Sequence, residues 1–532
     1  MKTGFSRLPI LAVIAISFLI QSYGFHRPWS EKDVGYNGAF YSILARNYVR
    51  YGFLQTKWGP VRNTGKADPA EFTYYLNHPP LLSILVSCSF KLFGVNEGSA
   101  RLVPLLFTFL SLWIFSLLSR ALWGHEAAVI ATAVAAFLPT TLFYGAHVEV
   151  FGPLLLFFVL LTIHGYWKWL ETDRKSYLCL SAAAFCLGTF VEWDIYLLSL
   201  LLPLHAILSK RHRPSSRKIF ILPLLALCCL ALFFFHATLL FGSAHAKEFG
   251  KALLYRQRLE TVTTASAAMT PGQTIRFPHA LKPAGDYLNW VLFGYLLPEA
   301  AAQKPNLLDY LLRNLLYLLI YFNPLTVFLA CLGLGQRAVR ASPLAKNLLF
   351  SVLLLGFFRI LFFHNETWEH RYIYFLLIPG LCWAAALGFK ALFPLKGFRK
   401  HAAYGAVFLF LLTSAGATWK LHQLNSDFSG KSLGELIRRY TAFEEKAMTS
   451  SAYSYQALYY ADRRIFFDVT TWERFTALRK KSGESACFLL AKGGSVEPKL
   501  LEYLKTHYTS RRIEGATLFG QPSRLGVSSQ TR

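Results

Sequence analysis

The stretch Leu201-Leu202-Pro203-Leu204-His205-Ala206-Ile207-Leu208-Ser209-Lys210-Arg211-His212-Arg213-Pro214-Ser215-Ser216-Arg217-Lys218-Ile219-Phe220-Ile221-Leu222-Pro223-Leu224-Leu225 sets two apolar runs on either side of a loop with five Lys or Arg and no acid. Crossing the hydrocarbon core takes roughly 20 apolar residues per helix. Short loops rich in Lys and Arg stay in the cytoplasm. The stretch therefore reads as two membrane spans, 195–209 and 219–241, joined by a cytoplasmic loop.

The basic loops Lys168–Lys175, Arg337–Lys346 and Lys390–Lys400 read the same way. Working outward from them gives about eleven spans, near 8–25, 101–119, 126–146, 150–167, 177–193, 195–209, 219–241, 310–334, 347–363, 372–389 and 402–418. The apolar run 79–94 is expected to lie along the outer interface. Pro79-Pro80 opens it, Lys91 lies within it, and if it crossed, every later basic loop would move outside. Lys2 and Arg7 before an apolar run resemble a signal peptide, but no small-residue cleavage site follows, so a retained first span is expected.

The fold class expected is a polytopic α-helical membrane protein. Residues 1–419 form the transmembrane domain, with outer loops 26–100 and 242–305, and residues 420–532 form a small soluble α/β domain outside the cytoplasm. In that tail, strand-like runs (464–469, 486–490) alternate with helical ones (471–481, 497–507), which predicts a parallel sheet.

Composition agrees: 54% of the 532 residues are hydrophobic and only 16% charged, which excludes an ordinary soluble protein. The net charge of +26 is scattered over loops rather than gathered on one motif, which argues against nucleic-acid binding. Seven of the eight cysteines lie in apolar stretches, where a thiol behaves as a small hydrophobe, and no CxxC pair suggests zinc or redox chemistry.

Sorted by this topology, Asp33, His78, Glu149, Glu192, Asp194, Glu366, Glu369, His370 and Arg371 all fall on the non-cytoplasmic face. Ionisable groups collected at one surface point to an enzyme working there. Asp33, just past the first span, is placed to take a proton from an attacking hydroxyl, or simply to cap a helix. Glu149 heads an apolar helix, where an acid is costly and a functional candidate by default, or is favoured by the helix dipole. His370 and Arg371 at a helix start suit a phosphate, or serve as interfacial anchors. Arg359, about one turn below that loop, calls for an anionic or carbonyl partner.

The order of motifs resembles the polyprenyl-phosphate-dependent glycosyltransferases of the GT-C fold, in particular glycosyltransferase family 39 with its protein mannosyltransferase and aminoarabinose transferase relatives. The residues that carry the likeness are Asp33, His78-Pro79-Pro80-Leu81, Phe93-Gly94, Glu97, Ala100-Arg101, Pro139, Glu149, Glu192-Trp193-Asp194 and Glu369-His370-Arg371-Tyr372. Two departures stand out. Many relatives have Asp-Glu where this chain has Asp33-Val34, and many have Asp at the position of Glu149.

The resemblance implies an inverting transferase moving a sugar from a polyprenyl-phosphate carrier to an acceptor hydroxyl. Asp33 and Glu149 are its expected catalytic acids, and His78, Arg101, Arg359, His370 and Arg371 its expected donor-phosphate or substrate ligands. The implied partners are the lipid-linked donor, the bilayer and a glycan, lipid or protein acceptor. A divalent ion between outer carboxylates is compatible with the acids present, but two acids are too few to imply one. A lipid-linked-glycan ligase and a lipid transporter or flippase are the alternatives. The expected location is a bacterial-type inner or plasma membrane.

Overall fold

The structure is a computed structural model that describes residues 8–31, 33–209, 218–242, 249, 307–336, 342–393, 399–482, 487–491, 494–513 and 515–520. The basic loop 210–217, residues 337–341 and 394–398 of two other basic loops, and nearly all of the loop 242–305 lie outside the described residues. The chain divides into two compact units. One comprises Met1–Phe25, Leu76–Leu82 and Arg101–Leu424, the other His26–Tyr75, Ser83–Ala100 and Asn425–Arg532. Most of the first outer loop thus groups with the tail, not with the spans as the 419/420 boundary expected.

The first unit is helical. Among the described residues, six helices are long and apolar enough to cross a membrane, or seven if one bent pair counts as a single span. Several of the eleven expected spans are present as shorter apolar helices, including Leu8–Ser22, His125–Phe137 and Trp193–Leu208. The run 79–94 is a helix of 13 residues, Leu81–Phe93, short of spanning length.

Two expected spans are broken, each at a proline. Leu138 is extended (φ −59°, ψ 142°) because Pro139 disfavours helical geometry in the residue before it, so 126–146 divides into His125–Phe137 and Pro139–Tyr144. Within 310–334, Tyr310–Phe322 and Pro324–Leu334 meet at 104°. Asn323 makes that corner at φ 67°. Its side chain accepts from the Leu325 N–H at 3.0 Å and donates to Thr413 Oγ1 at 2.7 Å.

Helix Pro324–Leu334 packs closely on Ile378–Leu392. A Cβ on Gly333 would overlap the Ala384 carbonyl, and one on Gly388 the Leu329 carbonyl. Small residues let helix backbones approach this closely where lipid tails are as apolar as the side chains. Within Tyr372–Leu392 the 18-residue apolar window is accordingly buried throughout, whereas only 22% of the corresponding window of Lys218–Leu240 is, leaving Leu224, Leu227, Leu232, Phe235 and Leu239 exposed on an apolar face.

In the second unit, strands β1 (Lys446–Thr449), β2 (Arg464–Phe466), β3 (Cys487–Leu490), β4 (Thr509–Ile513) and β5 (Ala516–Gly520) form one sheet in the order β2-β1-β3-β5-β4. The parallel sheet expected is only partly present. β1 is parallel to β2 and β3, but β5 runs antiparallel to both β3 and β4. The short link between β4 and β5, turned at Gly515 (φ 86°), permits only an antiparallel pair. Met448, Val469, Phe475, Phe488, Leu500, Leu504 and Phe519 form the core beneath the sheet.

Candidate functional site

In the first unit, Arg359 is the hub of a buried ionic cluster. It sits near the end of helix Pro343–Phe362, 4% exposed, in a run of residues otherwise apolar on both sides. Its Nε donates to Asp194 Oδ2 at 2.6 Å, its Nη2 to Glu192 Oε1 at 2.9 Å, and its Nη1 to Glu366. Each acid comes from a break in helical structure. Glu192 precedes the short 3-10 turn Trp193–Leu197, Asp194 lies within that turn, and Glu366 is on the short helix His364–Glu369. A guanidinium is planar with several donors in a fixed fork, so Arg359 meets three carboxylates from three separate nitrogens, which the compact point charge of a Lys cannot reproduce.

Glu192 is shared. Its second oxygen pairs with His78 Nδ1 at 2.5 Å. The chain around His78 is tied to the same place: Trp193 Nε1 donates to the Asn77 carbonyl and the Leu81 N–H to the Phe190 carbonyl, both at 2.9 Å. An aromatic chain continues the cluster. Arg359 lies 4.0 Å above the Phe151 ring, the His78 ring meets Phe151 edge-on at 5.3 Å, and Phe151 stacks on Tyr372 at 5.9 Å. Tyr372 stacks in turn on His370 at 5.2 Å.

Glu149 lies two residues before Phe151 and is 2% exposed, its Oε1 accepting from the Val150 N–H at 2.9 Å. Burial, then the nearby charges of Glu192 and Glu366, push its carboxyl well above the usual carboxylate range. His147 is pushed down to about 3 by burial and then by the charge of Arg101, so it is neutral. Arg101 itself donates to the Phe25 carbonyl at 2.9 Å.

Of the residues expected from sequence, His78, Arg359 and His370 are therefore brought together, with Glu149 in the electrostatic field of the same acids. Arg359 is taken up by carboxylates, which revises its expected part as a phosphate ligand. Glu192, Asp194 and Glu366 become central, although on sequence alone they had no part beyond the outer-face acids and, for the first two, the motif. Asp33 is the first residue of helix Asp33–Gln55 in the second unit, and Arg371 opens the 3-10 turn Arg371–Leu377. The side chains of Asp33, Glu369 and Arg371 lie outside the described set. Among the described residues no group of three or more His, Cys, Asp or Glu is arranged to hold a metal ion.

Comparison of the whole chain with solved structures returns ArnT from Cupriavidus metallidurans bound to undecaprenyl phosphate, at a TM-score of 0.57 and 12% identity over 98% of both chains. The archaeal oligosaccharyltransferase AglB from Archaeoglobus fulgidus follows at 0.54 and 12% identity, covering 99% of this chain and 76% of that one. The chain has the GT-C fold. A family profile, dolichyl-phosphate-mannose-protein mannosyltransferase, matches residues 77–238, a segment that includes His78, Arg101, Glu149, Glu192 and Asp194. No curated protein matches the sequence.

Proposed function

We propose that this GT-C chain is an inverting glycosyltransferase that moves a sugar from a polyprenyl-phosphate carrier to an acceptor hydroxyl on the non-cytoplasmic face. The observation that carries the reading is the likeness over 98% of both chains to a protein seen with undecaprenyl phosphate bound. The profile match across the His78, Glu149 and Glu192 region supports it.

In this reaction the acceptor oxygen forms a bond to the anomeric carbon as the carbon–oxygen bond to the phosphate breaks. The electron pair leaves on the lipid phosphate, and the acceptor proton goes to the Asp33 carboxylate. Negative charge develops on the phosphate, so cations fixed beside it act on the transition state. Arg371 and Arg101 are assigned that part, and His78 and His370 are assigned to hydrogen-bond the donor beside them. Arg359 is assigned a positioning part, since its three donor groups are engaged by Asp194, Glu192 and Glu366. By holding Glu192, it fixes the carboxylate that orients His78.

A second reading, transfer of a whole glycan from its lipid carrier, is favoured by the likeness to the oligosaccharyltransferase. Mass spectrometry of envelope glycolipids and glycoproteins, with and without the gene, separates single-sugar from oligosaccharide products. The mechanism is tested by Asp33→Asn, which keeps size and most hydrogen bonding but removes the base. Turnover should fall by at least about two orders of magnitude, the scale of general-base assistance. Glu31→Gln should be mild, because its amide oxygen still accepts from Ser454. Near-normal transfer by a well-folded Asp33→Asn chain refutes the assignment.

A further inference from the structure

Residues 29–31, which lead toward helix Asp33–Gln55, are held largely by the far end of the chain. The Trp29 N–H donates to Tyr460 Oη at 2.8 Å, and the Ser30 carbonyl accepts from Gln456 Nε2. The Glu31 N–H donates to the Asp427 carbonyl at 2.7 Å, and Glu31 Oε1 accepts from Ser454 Oγ at 2.8 Å. Trp29 and Gln456 are both 0% exposed, so these groups have no water to exchange with. One turn into the helix, the rings of Tyr36 and Phe40 pack on Tyr455 at 4.8 and 4.7 Å. Tyr460 also donates to Glu97 Oε1 at 2.5 Å. Glu97 is the motif acid to which the mechanism gives no part. Here it orients the hydroxyl that fixes Trp29.

We infer that Ser454, Gln456 and Tyr460, with Glu97 behind Tyr460, are positioning residues for Asp33. They set where the backbone enters the helix that Asp33 opens, and so where its carboxylate can meet an acceptor hydroxyl. The inference rests on the assignment of Asp33 as the base. The physical case is that chain path, not side-chain reach, determines the placement of a residue at a helix start. A misplacement of about 1 Å from a distant change is enough to cost on the order of a hundredfold in rate. The C-terminal segment thereby becomes part of the catalytic machinery.

The test uses full-length chain in detergent, with the undecaprenyl-phosphate sugar that wild type turns over among hexose, pentose and amino-sugar conjugates. Gln456→Leu removes the buried donor, while Tyr460→Phe keeps the ring and removes only the bridging hydroxyl. Per folded protein, each should lower kcat, Gln456→Leu by about ten- to a hundredfold, with KM for the donor changed by less than about threefold. In an Asp33→Asn background the same substitutions should cost nothing further, because groups acting through one residue are non-additive. Equal fold-losses in both backgrounds, or wild-type kcat in both single variants, overturn the positioning part while leaving the function intact. Near-normal transfer by Asp33→Asn instead overturns the base assignment and the inference with it. Absence of turnover by wild type on every conjugate overturns both.

Discussion

Arg359 faces Asp194, Glu192 and Glu366 in a site where none of the four is more than 6% exposed. Removing one partner of a buried ion pair leaves uncompensated charge, which costs about 3–5 kcal/mol. Arg359→Gln should therefore lower the thermal midpoint and the folded yield in detergent, and Arg359→Lys should recover only part, since an ammonium lacks the planar fork. An Arg359→Gln chain as stable as wild type would show that the hub does not hold the cluster. Glu149 gives the opposite expectation. Its raised carboxyl means that the folded state binds a proton the unfolded state releases above about pH 4.3. That contribution is present at low pH and declines as pH rises toward the raised folded value. Glu149→Gln, a permanently neutral mimic, should flatten this decline in a thermal-melt series across pH. A variant that keeps the wild-type slope would argue against a neutral Glu149. The need of Arg359 for an anionic or carbonyl partner was legible in the sequence, because an arginine among apolar residues is costly alone. Its partners were not: Glu192 lies 167 residues away and Asp194 165, and no periodicity links them.

Helices were legible wherever apolar runs were long, and breaks were legible only in part. Pro139 and Pro324 stand in the sequence as interruptions, but a proline alone does not distinguish a kink from a corner. The 104° corner needs Asn323, whose φ of 67° is rare outside glycine and whose amide reaches Thr413 and Ser414 on another helix. Asn323→Ala loses both the backbone tolerance and the amide's bonds, and should destabilise by about 1–3 kcal/mol. Asn323→Gly, which restores the tolerance alone, should be milder. Equal losses in thermal unfolding would assign the whole effect to the hydrogen bonds. In the tail, Leu500, Leu501 and Leu504 read as one helix face; Leu500 and Leu504 are both 0% exposed, and Leu501 is half-buried. Strand direction was not, because β4 and β5 differ from the parallel strands in how they are linked, by the tight turn at Gly515, rather than in their own residue pattern. Ser454, Gln456 and Tyr460 carried no signal at all, since a polar side chain whose partner lies more than 400 residues away leaves no local pattern.

The membership of the second unit constrains how the chain threads a membrane. Residues 26–75 and 83–100 form one compact body with 425–532, tied by Trp29–Tyr460, by Arg46–Asp462 at 2.9 Å and by Glu31–Asp427. A packed body of this kind cannot straddle a bilayer, because its backbone polar groups outside regular structure would be stranded in hydrocarbon. The number of crossings between residues 100 and 425 must therefore be even. The ten stretches read as spans between 101 and 418 meet that condition when the bent pair Tyr310–Phe322 and Pro324–Leu334 counts as one crossing. The requirement of an even number comes from the packed body alone, and the spans drawn outward from Lys168–Lys175, 210–218 and Lys390–Lys400 satisfy it. Reporters active only in the cytoplasm, inserted in the loop 57–66 and fused after Arg532, should both be silent, while one placed in 210–217 should be active. Signals of opposite sign at the first two positions would break the second unit apart. Activity at both of them, with silence at 210–217, would keep that unit whole but invert the chain, moving Asp33 and its proposed chemistry to the cytoplasmic face.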